Sequence, residues 1–581
     1  MFLRRIEGMP IRNAEIADIF DELADLLDIE EANPFRVRAY RNAARTMRGC
    51  PKNVGDLVES GEDLSRLPGI GKDLAGKIQV IVTTGRLPLL EEVGSRTPRA
   101  LSKLMRIEGL GPRRVKALHR QLKVRSLEDL KRAAQAGRIR RLPGFGARTE
   151  AAIRDGIERL ERRPDRMKIN VADEISATIV RHVGKCKGVK GVIVAGSLRR
   201  RKETIGDLDV LVTAARGAGV MDHIAAYDEV ADIVSMGPTR CTVRLRSGIQ
   251  VDLRVVPQVS YGAALHYFTG SKAHNIAVRT LAAKKNCKIN EYGVFRGQKR
   301  IAGKSEAEVF AAVGLAYIPP ELREDRGEIK AAQTEELPSL ITLKDIRGDL
   351  HCHTHASDGV ASVEQMAVAS KQLGYEYVSI NDHSKHVTVA HGLDEKRMFA
   401  QIKAIDKLNA KLNGITVLKS VEVDILEDGS LDLPARVLKE LDFTVCAIHY
   451  KFGLSAKRQT ERILRAMDSR YFSILAHPTG RLINERAPYA VDIEKLLEGA
   501  KERGCFVELN AHPDRLDLTD ESCRLAKDLG LKVAISTDAH STDGLACMRF
   551  GIDVARRGWL TAADVINTRG IKRLRELLGR S

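Results

Sequence analysis

GSLRRRKETIGDLDV occupies residues 196–210 and holds the most informative pattern in this chain of 581 residues. It follows an apolar run, Val189–Ala195, that is typical of a β-strand entering a Gly-Ser turn. Side chains alternate between the two faces of a strand, so Asp207 and Asp209 are predicted to share a face. Two carboxylates on one face repel each other unless a cation lies between them, and such oxygen ligands suit Mg²⁺. A bare DxD could also be only the solvated end of a strand.

The residues around the two carboxylates favour a phosphate ligand. Gly196 and Ser197 offer a backbone N–H and a hydroxyl, and the arginines at 199–201 place positive charge beside them. A further carboxylate, Asp252, lies in the strand-like run Gly248–Val256. If that strand neighbours the first, three carboxylates can hold two Mg²⁺ around a nucleoside triphosphate, as in-line phosphoryl transfer requires.

The string resembles the nucleotidyltransferase palm of the X-family DNA polymerases, the DNA polymerase beta-like enzymes, which share GS-x-RR…GD-x-D and a later lone Asp. Tyr267–Ser271 (YFTGS) and Ile289–Tyr292 (INEY) resemble the thumb segment of that family. The resemblance implies that the Tyr-Phe pair bounds the sugar pocket, and Lys272 departs from the family, which has an acid there. The implied catalytic residues are Asp207, Asp209 and Asp252, and the implied nucleotide-binding residues are Ser197, Arg200, Gly206, Tyr267, Phe268, Gly270, Asn275 and Arg279.

The positive charge is concentrated in one region. The chain has a net charge of +18, and residues 101–200 alone carry 26 basic and 10 acidic residues. A basic region of this kind indicates a polyanionic partner. No apolar run approaches the ~18 residues of a membrane span, and the nine cysteines show no CxxC pair. We therefore expect a reduced, cytoplasmic protein, associated with the nucleoid.

A short glycine motif occurs three times in or near the basic region: Leu67–Gly71 (LPGIG), Ile107–Gly111 (IEGLG) and Leu142–Gly146 (LPGFG). Each copy precedes a helical pattern, and its glycines permit a tight turn that exposes backbone N–H groups to a phosphate. One copy could be an ordinary turn between helices, but three resemble helix-hairpin-helix motifs. They predict sequence-independent DNA binding through Gly69, Gly71, Gly109, Gly111, Gly144 and Gly146.

The N-terminal segments 1–90 and 91–165 resemble the lyase-type and fingers domains of the X family. The stretch RAYRNAA at residues 38–44 implies that Tyr40 lies near a 5′-phosphate. The Schiff-base lysine of the family would fall on Lys77. Asp73 replaces a neighbouring family lysine, so deoxyribose-phosphate lyase activity stays open, and Lys77 could be an ordinary solvated lysine.

From Gly348 onward a unit repeats, consisting of a short apolar strand, a His, Asp or Glu at its end, and a helical stretch. Seven such units predict a parallel sheet closed into a barrel, whose C-terminal strand ends converge on one face. A lone His is more often structural than a ligand, but a set of them at equivalent positions indicates metal binding. The predicted ligands are His351, His353, Asp358, His383, Glu422, His449, His477, Asp538 and His540.

This ligand set predicts phosphoester hydrolysis. Mixed imidazole and carboxylate ligands suit Mn²⁺, Zn²⁺ or Fe better than Mg²⁺, and nine ligands exceed the needs of one ion, so we expect two or three. The pattern H-x-H-T-x-x-S-D-G at residues 351–359 resembles the PHP (polymerase and histidinol phosphatase) domain over about residues 346–560. That resemblance implies a Mn²⁺-dependent 3′→5′ exonuclease, with 3′-phosphatase or abasic-site endonuclease activity as additions.

Together these features predict a multidomain protein. It has an all-α helix-hairpin-helix region (1–90 and 91–165), an α/β nucleotidyltransferase palm (166–258), a thumb (259–318), a linker (319–345) and a distorted (β/α)7 PHP barrel (346–581). The predicted function is short-gap filling in DNA repair by a monomer that binds gapped or primer–template DNA and dNTPs. Two alternatives stay open: a DNA-binding scaffold with vestigial sites, and a small-molecule phosphatase fused to a non-templated nucleotidyltransferase.

Overall fold

A computed structural model describes residues 11, 13–49, 54–67, 69–105, 107, 109–162, 166–214 and 218–579. Pro68 and Glu108 of the glycine motifs, and residues 1–10 of the predicted first segment, lie outside the described residues. Within the described parts of the chain, no helix combines the length and apolar character needed to cross a membrane.

The N-terminal region is entirely helical. Its helices are α1 (Asn13–Ile29), α2 (Pro34–Gly49), α3 (Val54–Glu59), α4 (Lys72–Thr84), α5 (Pro88–Arg96), α6 (Ala100–Leu104), α7 (Pro112–Leu122), α8 (Leu127–Gln135) and α9 (Ala147–Arg162). The first glycine of each motif, at 69, 109 and 144, has a left-handed φ of 71–83°, which lets the chain turn sharply before α4, α7 and α9. One continuous apolar core, from Ile11 to Ile157, serves both predicted segments.

The palm is a five-stranded sheet with helices on it. Its elements are β1 (Met167–Lys168), α10 (Ile169–Gly184), β2 (Val189–Val194), α11 (Gly196–Arg199), β3 (Thr204–Ile205), β4 (Asp207–Ala214), α12 (Ala218–Ala225), β5 (Val230–Met236), β6 (Arg240–Leu245) and β7 (Gln250–Val256). The strand order is β2-β4-β7-β6-β5. Strands β4 and β7 are parallel neighbours, which meets the condition set for a three-carboxylate site, and Asp209 lies directly opposite Asp252.

The thumb packs helices around a small antiparallel sheet. It contains α13 (Tyr261–Thr269), α14 (Lys272–Lys284), β8 (Lys288–Asn290), β9 (Gly293–Arg296), β10 (Lys299–Ala302), α15 (Glu306–Ala312) and, beyond it, α16 (Glu328–Gln333). The sheet order is β10-β9-β8.

The segment 319–345, which the sequence analysis interprets as a linker, is folded and packed. Leu322, Ala332 and Leu340 join the thumb core, together with Trp559 from the barrel. Two charged residues of the segment are buried in ion pairs: the fully buried Arg323 donates to Glu306 at 2.6 Å, and Glu328 pairs with His274 at 2.7 Å. A polar, proline-led composition hides this packing because ion pairs can bury charges that look solvent-exposed in a sequence.

The C-terminal region alternates strands and helices. Its elements are β11 (Gly348–Asp349), α17 (Val363–Gln372), β12 (Tyr377–Ile380), α18 (Glu395–Asn409), β13 (Thr416–Lys419), β14 (Glu422–Asp424), α19 (Ala435–Leu438), β15 (Val445–Ala447), α20 (Ala456–Met467), β16 (Ile474–Leu475), α21 (Ile493–Glu502), β17 (Phe506–Asn510), α22 (Asp520–Leu529), β18 (Val533–Ser536), α23 (Met548–Arg557) and α24 (Ile571–Leu578). All pairings between these strands are parallel.

The strands close into the predicted distorted barrel. They form two runs, β11-β12-β13 and β14-β15-β16-β17-β18. The segments β13 and β14 are separated by two residues of one extended stretch, so the strand positions number seven. Parallel bridges between Cys352 and Ala539, and between His383 and Glu422, join the two runs. The C-terminal strand ends therefore meet at one face, where the predicted ligands stand.

Palm and barrel are tightly joined. Their apolar residues form a single cluster that includes Leu208 and Val243 of the palm and Leu496 and Val507 of the barrel. Ion pairs reinforce this contact: Arg201 with Asp553 at 2.8 Å, Lys168 with Asp514 at 2.5 Å and Arg481 with Glu203 at 2.6 Å.

Candidate active sites

The palm carboxylates repel one another. Burial raises the pKa of Asp209 to about 7, and the charges of Asp207 and Asp252 add to that effect. Burial acts in the same direction on Asp252, but hydrogen bonds from Thr242 at 2.6 Å and Gln250 at 2.7 Å outweigh it and lower the pKa of that group. A carboxylate held ionised beside one that resists ionisation attracts a divalent cation.

The side chains of Asp207, Asp209 and Asp252 do not converge on a single point. Among the described residues, the compact groups of metal-ligating atoms lie in the barrel and not in the palm. Both oxygens of Asp252 are engaged by neighbours, including Arg240 at 3.2 Å. Coordination of an ion by all three carboxylates therefore requires their side chains to converge, with Asp252 offering a remaining lone pair of Oδ2, which accepts only from Gln250.

The raised pKa of Asp209 predicts pH-dependent cation binding in the palm. Below about pH 7 the carboxyl is protonated, and a proton must leave before the group can ligate. We expect the apparent dissociation constant for Mg²⁺ at this site to rise up to about tenfold for each pH unit below 7. Calorimetric titration between pH 5.5 and 8 measures this. A slope that persists in Asp209→Asn would assign the dependence to another group.

The turn before the carboxylates is closely fitted to them. Gly196 has a φ of +59°, and a Cβ added there would lie 2.2 Å from Asp209 Oδ2. The hydroxyl of Ser197 is buried and has no hydrogen-bond partner among the described residues. Since buried polar groups are nearly always paired, this hydroxyl is available for a ligand such as a phosphate oxygen.

Substitution of Gly196 tests this fit. In Gly196→Ala the new methyl group must displace the Asp209 carboxylate, in a backbone conformation that L-residues rarely adopt. We expect nucleotide incorporation to fall by about a hundredfold, in line with the loss caused by misplacement of a reacting group by 1 Å. Steady-state extension assays measure it. The matched control is Gly184→Ala at the end of α10, where an added Cβ meets nothing within 4 Å; an equal loss there would contradict the explanation.

The sequence predicts that the three arginines place open positive charge beside a phosphate. In the structure, each of them is paired with a carboxylate. Arg199 pairs with Glu306 of the thumb at 2.7 Å. Arg201 pairs with Asp173 and with Asp553 of the barrel. Arg200 donates to Glu324 at 3.0 Å and to the carbonyl of Thr269 at 2.7 Å. Their charges hold the turn to the thumb and the barrel, and Arg200 must leave Glu324 to reach a nucleotide.

Four of the five predicted thumb residues lie together. Tyr267 and Phe268 contact edge to face at 5.1 Å, and Asn275 donates to the Tyr267 carbonyl at 2.7 Å. A Cβ at Gly270 would lie 2.3 Å from the Asn275 amide, so only glycine fits. Arg279 is exposed. Gly206, which is also predicted to bind the nucleotide, lies in the palm and not in the thumb. A Cβ added there would lie 2.9 Å from Arg166.

A palm residue that the sequence analysis does not single out contacts this pair. The guanidinium of Arg254 lies 4.6 Å from the centre of the Phe268 ring. Arg254 follows Asp252 by two residues on β7, which places both on one face of the strand. This spacing is the signal that could have identified it.

The barrel face gathers the nine predicted ligands. Three overlapping groups have ligand atoms within 4.8 Å of one another: His353, Asp358, His383 and His540; His351, His353 and Asp538; and His383, Glu422 and His449. His477 joins through Glu422, with 2.9 Å between Nε2 and Oε1. A cluster of several ions requires ligands that neighbouring ions share, and these three groups have residues in common. Most of the nine residues are buried.

Electrostatics and backbone strain mark the same face. Burial opposes ionisation of Glu422, but the histidines around it, led by His383, hold the pKa of its carboxyl well below the usual range. His477 and Asp538 have positive φ values of 26° and 55°. Strained backbone of this kind persists where the surroundings fix a functional geometry.

Three carboxylates behind the ligands were missed by the sequence analysis. Glu508 accepts from His351 Nδ1 at 2.7 Å, and Asp424 accepts from His449 Nδ1 at 2.8 Å. Such partners fix the ring orientation of a metal-binding histidine. Asp382 holds the loop between His353 and Asp358 through Thr354 and Ser357. The spacing of Glu422 and Asp424 on one strand face could have revealed Asp424; nothing local marks the other two.

Tyr40, which is predicted to lie near a 5′-phosphate, and Lys77, the possible lyase residue, are both engaged by other residues of the helical region. Tyr40 is only 3% exposed and stacks on Phe20 in the helical core, which does not support a phosphate contact from its ring. Lys77 forms an ion pair with Asp73, the residue that departs from the family pattern. The glycines of the three hairpin motifs, in contrast, are at turns that precede helices.

Comparisons with protein families agree with this architecture. Residues 11–87 match the helix-hairpin-helix domain, 101–159 the SAM-like helix-hairpin-helix tandem, 264–324 the DNA polymerase beta thumb and 349–512 the PHP domain. With the acidic palm between hairpin helices and thumb, these matches define an X-family nucleotidyltransferase joined to a PHP barrel. The chain is 35% identical to the DNA polymerase/3′-5′ exonuclease PolX of Bacillus subtilis (strain 168), over 98% of this chain and 99% of that protein. It belongs to the PolX family.

The barrel alone resembles other proteins. It is 30% identical over 231 residues to a probable phosphatase of Thermoanaerobacter sp. (strain X514), which covers 38% of this chain and 89% of that protein. A probable phosphatase of Acetivibrio thermocellus is 31% identical over 202 residues, 33% of this chain and 78% of that protein.

Proposed function

We propose that the protein is a DNA-directed DNA polymerase that fills short gaps in DNA repair and trims 3′ ends with its PHP barrel. The observation that carries the proposal is the presence, in one chain, of adjacent palm carboxylates and a nine-ligand barrel face, in a protein matched over its whole length by a relative named as polymerase and 3′-5′ exonuclease. The three hairpin turns and the basic charge between residues 101 and 200 support gapped or primer–template DNA as the partner.

In the palm, Asp207, Asp209 and Asp252 would hold Mg²⁺, which supplies charge stabilisation for in-line phosphoryl transfer. The unpaired Ser197 hydroxyl would donate to a triphosphate oxygen. Tyr267 and Phe268, which contact edge to face, would bound the sugar of the nucleotide. The protein thus orients the primer 3′-hydroxyl and the dNTP without contributing a covalent group of its own.

In the barrel, the histidine and carboxylate ligands fit Mn²⁺ better than Mg²⁺, and the three overlapping groups fit two or three ions. Such ions supply Lewis-acid activation of a phosphodiester and of the attacking water. Glu508 and Asp424 orient the ligating rings and hold the protons on their Nδ1 atoms. The resemblance to probable phosphatases favours 3′-phosphatase as a second candidate activity, and abasic-site endonuclease is a third.

Two other functions predict different behaviour. A DNA-binding scaffold would need neither site, and the intact ligand geometry argues against it. A small-molecule phosphatase with a non-templated transferase would bind gapped DNA weakly and without steep salt dependence, whereas several phosphate contacts predict a steep fall in affinity with salt. We also propose a monomeric protein in the cytoplasm, and sedimentation can test the monomer. Lyase activity through Lys77 is not part of the proposal, because of the Asp73 ion pair.

A single assay tests the main proposal. A gapped duplex labelled at the 5′ end of the primer is incubated with the protein and Mn²⁺, with and without dNTPs. We expect extension with dNTPs and shortening without them. Extension without shortening would direct the barrel towards phosphatase or another lesion, and neither product would favour the scaffold.

A further inference from the structure

The rim of the barrel face carries a pair of rings beside two of the predicted metal ligands. The His386 ring lies on the Tyr450 ring, with 4.3 Å between their centroids. Tyr450 directly follows the ligand His449, and His386 follows the ligand His383 by three residues. The rings of these two ligands are 5.2 Å apart, so the two loops lie side by side at the metal face. Three residues reach at most about 11 Å, which keeps the pair close to the predicted ions.

The pair is anchored by a buried arginine, and its outer ring is exposed. Arg462 is 2% exposed, and its guanidinium lies 4.6 Å from the centre of the Tyr450 ring. Arg462 also donates to the carbonyls of Leu426 at 2.9 Å and Tyr450 at 3.2 Å, which fixes it against that ring. His386 is exposed, and within the described chain its ring nitrogens have no hydrogen-bond partner. Its ring is therefore held in place but open to a ligand.

A second ring and a positive charge continue the rim. Phe452, two residues after Tyr450, is half-buried, and the guanidinium of Arg486 lies 4.6 Å from the centre of its ring. Among the described residues, Arg486 donates only to the Gly480 carbonyl, at 2.7 and 3.0 Å, and pairs with no carboxylate. Burial, and then the like charge of Arg515, lower the pKa of Arg486. A guanidinium in such surroundings attracts a phosphate.

Rings combined with arginines are suited to one kind of ligand. Proteins bind single-stranded nucleic acid by stacking its bases on ring faces and by holding its backbone with positive charge. This mode does not depend on sequence, because every base has a face that can stack. A ring pair that served only to pack the loops would be covered on its outer side, whereas His386 is exposed.

We propose that His386, Tyr450, Phe452 and Arg486 form a platform that guides a single-stranded 3′ end to the metal ligands of the barrel. A base of the incoming strand stacks on the His386 ring, and Arg486 contacts a backbone phosphate. The reach of about 11 Å from the ligand equals about three stacked bases at 3.4 Å each, so the platform meets one of the last four bases. The inference rests on the exonuclease activity proposed above and defines its substrate as an unpaired end.

The test measures single-turnover shortening of a 5′-labelled single strand with Mn²⁺ at increasing protein concentration. In His386→Ala we expect the protein concentration for the half-maximal rate to rise about five- to hundredfold, the loss of one stacked base, with the maximal rate unchanged. His386→Phe restores a ring and should return the value close to that of the wild type. The matched control, Val389→Ala, changes an aliphatic residue of the same loop that is 79% exposed and should have no effect.

Two further measurements locate the contacts. A tetrahydrofuran abasic residue is placed in turn at each of the last four positions of the strand. At one position it should raise the half-maximal concentration for the wild type and have no further effect in His386→Ala, because the stacking partner is already missing. For Arg486→Gln, the slope of log affinity against log salt concentration should become shallower by about 0.7, which corresponds to one phosphate contact on a single strand.

The outcomes separate this inference from the proposed function. If the wild type shortens no strand, the exonuclease proposal fails and the platform fails with it. The platform alone is wrong if the wild type shortens the strand but His386→Ala keeps the wild-type value, if His386→Phe does not restore it, or if Val389→Ala shows the same rise. Thermal melting followed by circular dichroism shows that each variant keeps its fold. The abasic scan of the wild type decides the question without any variant, since indifference at all four positions would overturn the platform.

Discussion

Replacement of Asp209 by Asn should reduce dNTP incorporation by at least about a thousandfold and leave 3′-end shortening intact. Asp209 faces Asp252 across two parallel strands, so the substitution removes charge from the centre of the triad. Ions at such sites contribute several kcal/mol to transition-state stabilisation, and each 1.36 kcal/mol is a factor of ten in rate. Primer extension and shortening on the same gapped duplex measure the two activities separately.

The stability of this variant distinguishes lost chemistry from lost fold. Folding raises the pKa of Asp209 from 3.8 to about 7, so its contribution to stability is lost as the pH rises through 7. Without metal at pH 8, Asp209→Asn should therefore melt at a temperature equal to or above that of the wild type. The control is Asp232→Asn, an exposed aspartate on β5 of the same sheet. Incorporation that survives in Asp209→Asn would refute the palm assignment.

Replacement of Glu422 by Gln should reduce 3′-end shortening and leave dNTP incorporation intact, the opposite of the effect expected for Asp209→Asn. The Glu422 carboxylate is buried and lies 2.7 Å from His383 Nδ1, 2.9 Å from His477 Nε2 and 3.3 Å from His449 Nε2. Loss of its charge removes the one carboxylate that these rings share. We expect shortening to fall at least about a thousandfold, and calorimetry to show at least one Mn²⁺ fewer per protein, with extension unchanged.

The control for Glu422→Gln is Glu376→Gln, at the other end of the barrel strands, where the side chain is 43% exposed. Its shortening rate should equal that of the wild type. Persistent shortening in Glu422→Gln would move the nuclease away from the barrel. Loss of extension as well would indicate that the variant has unfolded, which thermal melting would detect.

The sequence was sufficient for the parts of the fold that repeat or alternate. The seven strand ends predicted the barrel and its nine ligands, because strand direction and side-chain alternation fix where each end points. Alternation also placed Asp207 and Asp209 on one face of a strand, whereas the adjacency of the strand that carries Asp252 was a condition that only the structure supplies. The helix-hairpin-helix turns followed from a glycine pattern that occurs three times, each copy before a helical stretch.

Long-range ion pairs were not predictable in this way. Arg200 pairs with Glu324, which is 124 residues away, and Arg323 is fully buried although its segment looks like a solvated linker. Which charges meet depends on how domains pack, and no local pattern encodes that. Glu508 escaped notice for a related reason: it acts on His351 from another strand, 157 residues along the chain.

The shared apolar core of palm and barrel has a consequence for how the two activities can be lost. Two modules that share a buried apolar core stabilise each other, because unfolding of either one exposes apolar surface of both to water. A chain cut near residue 345 would leave apolar surface exposed on both pieces. Substitutions that disrupt this core would therefore abolish extension and shortening together, whereas a substitution at one active site would abolish only one of the two activities. Simultaneous loss of both activities is thus a sign of unfolding, and selective loss is a sign of altered chemistry.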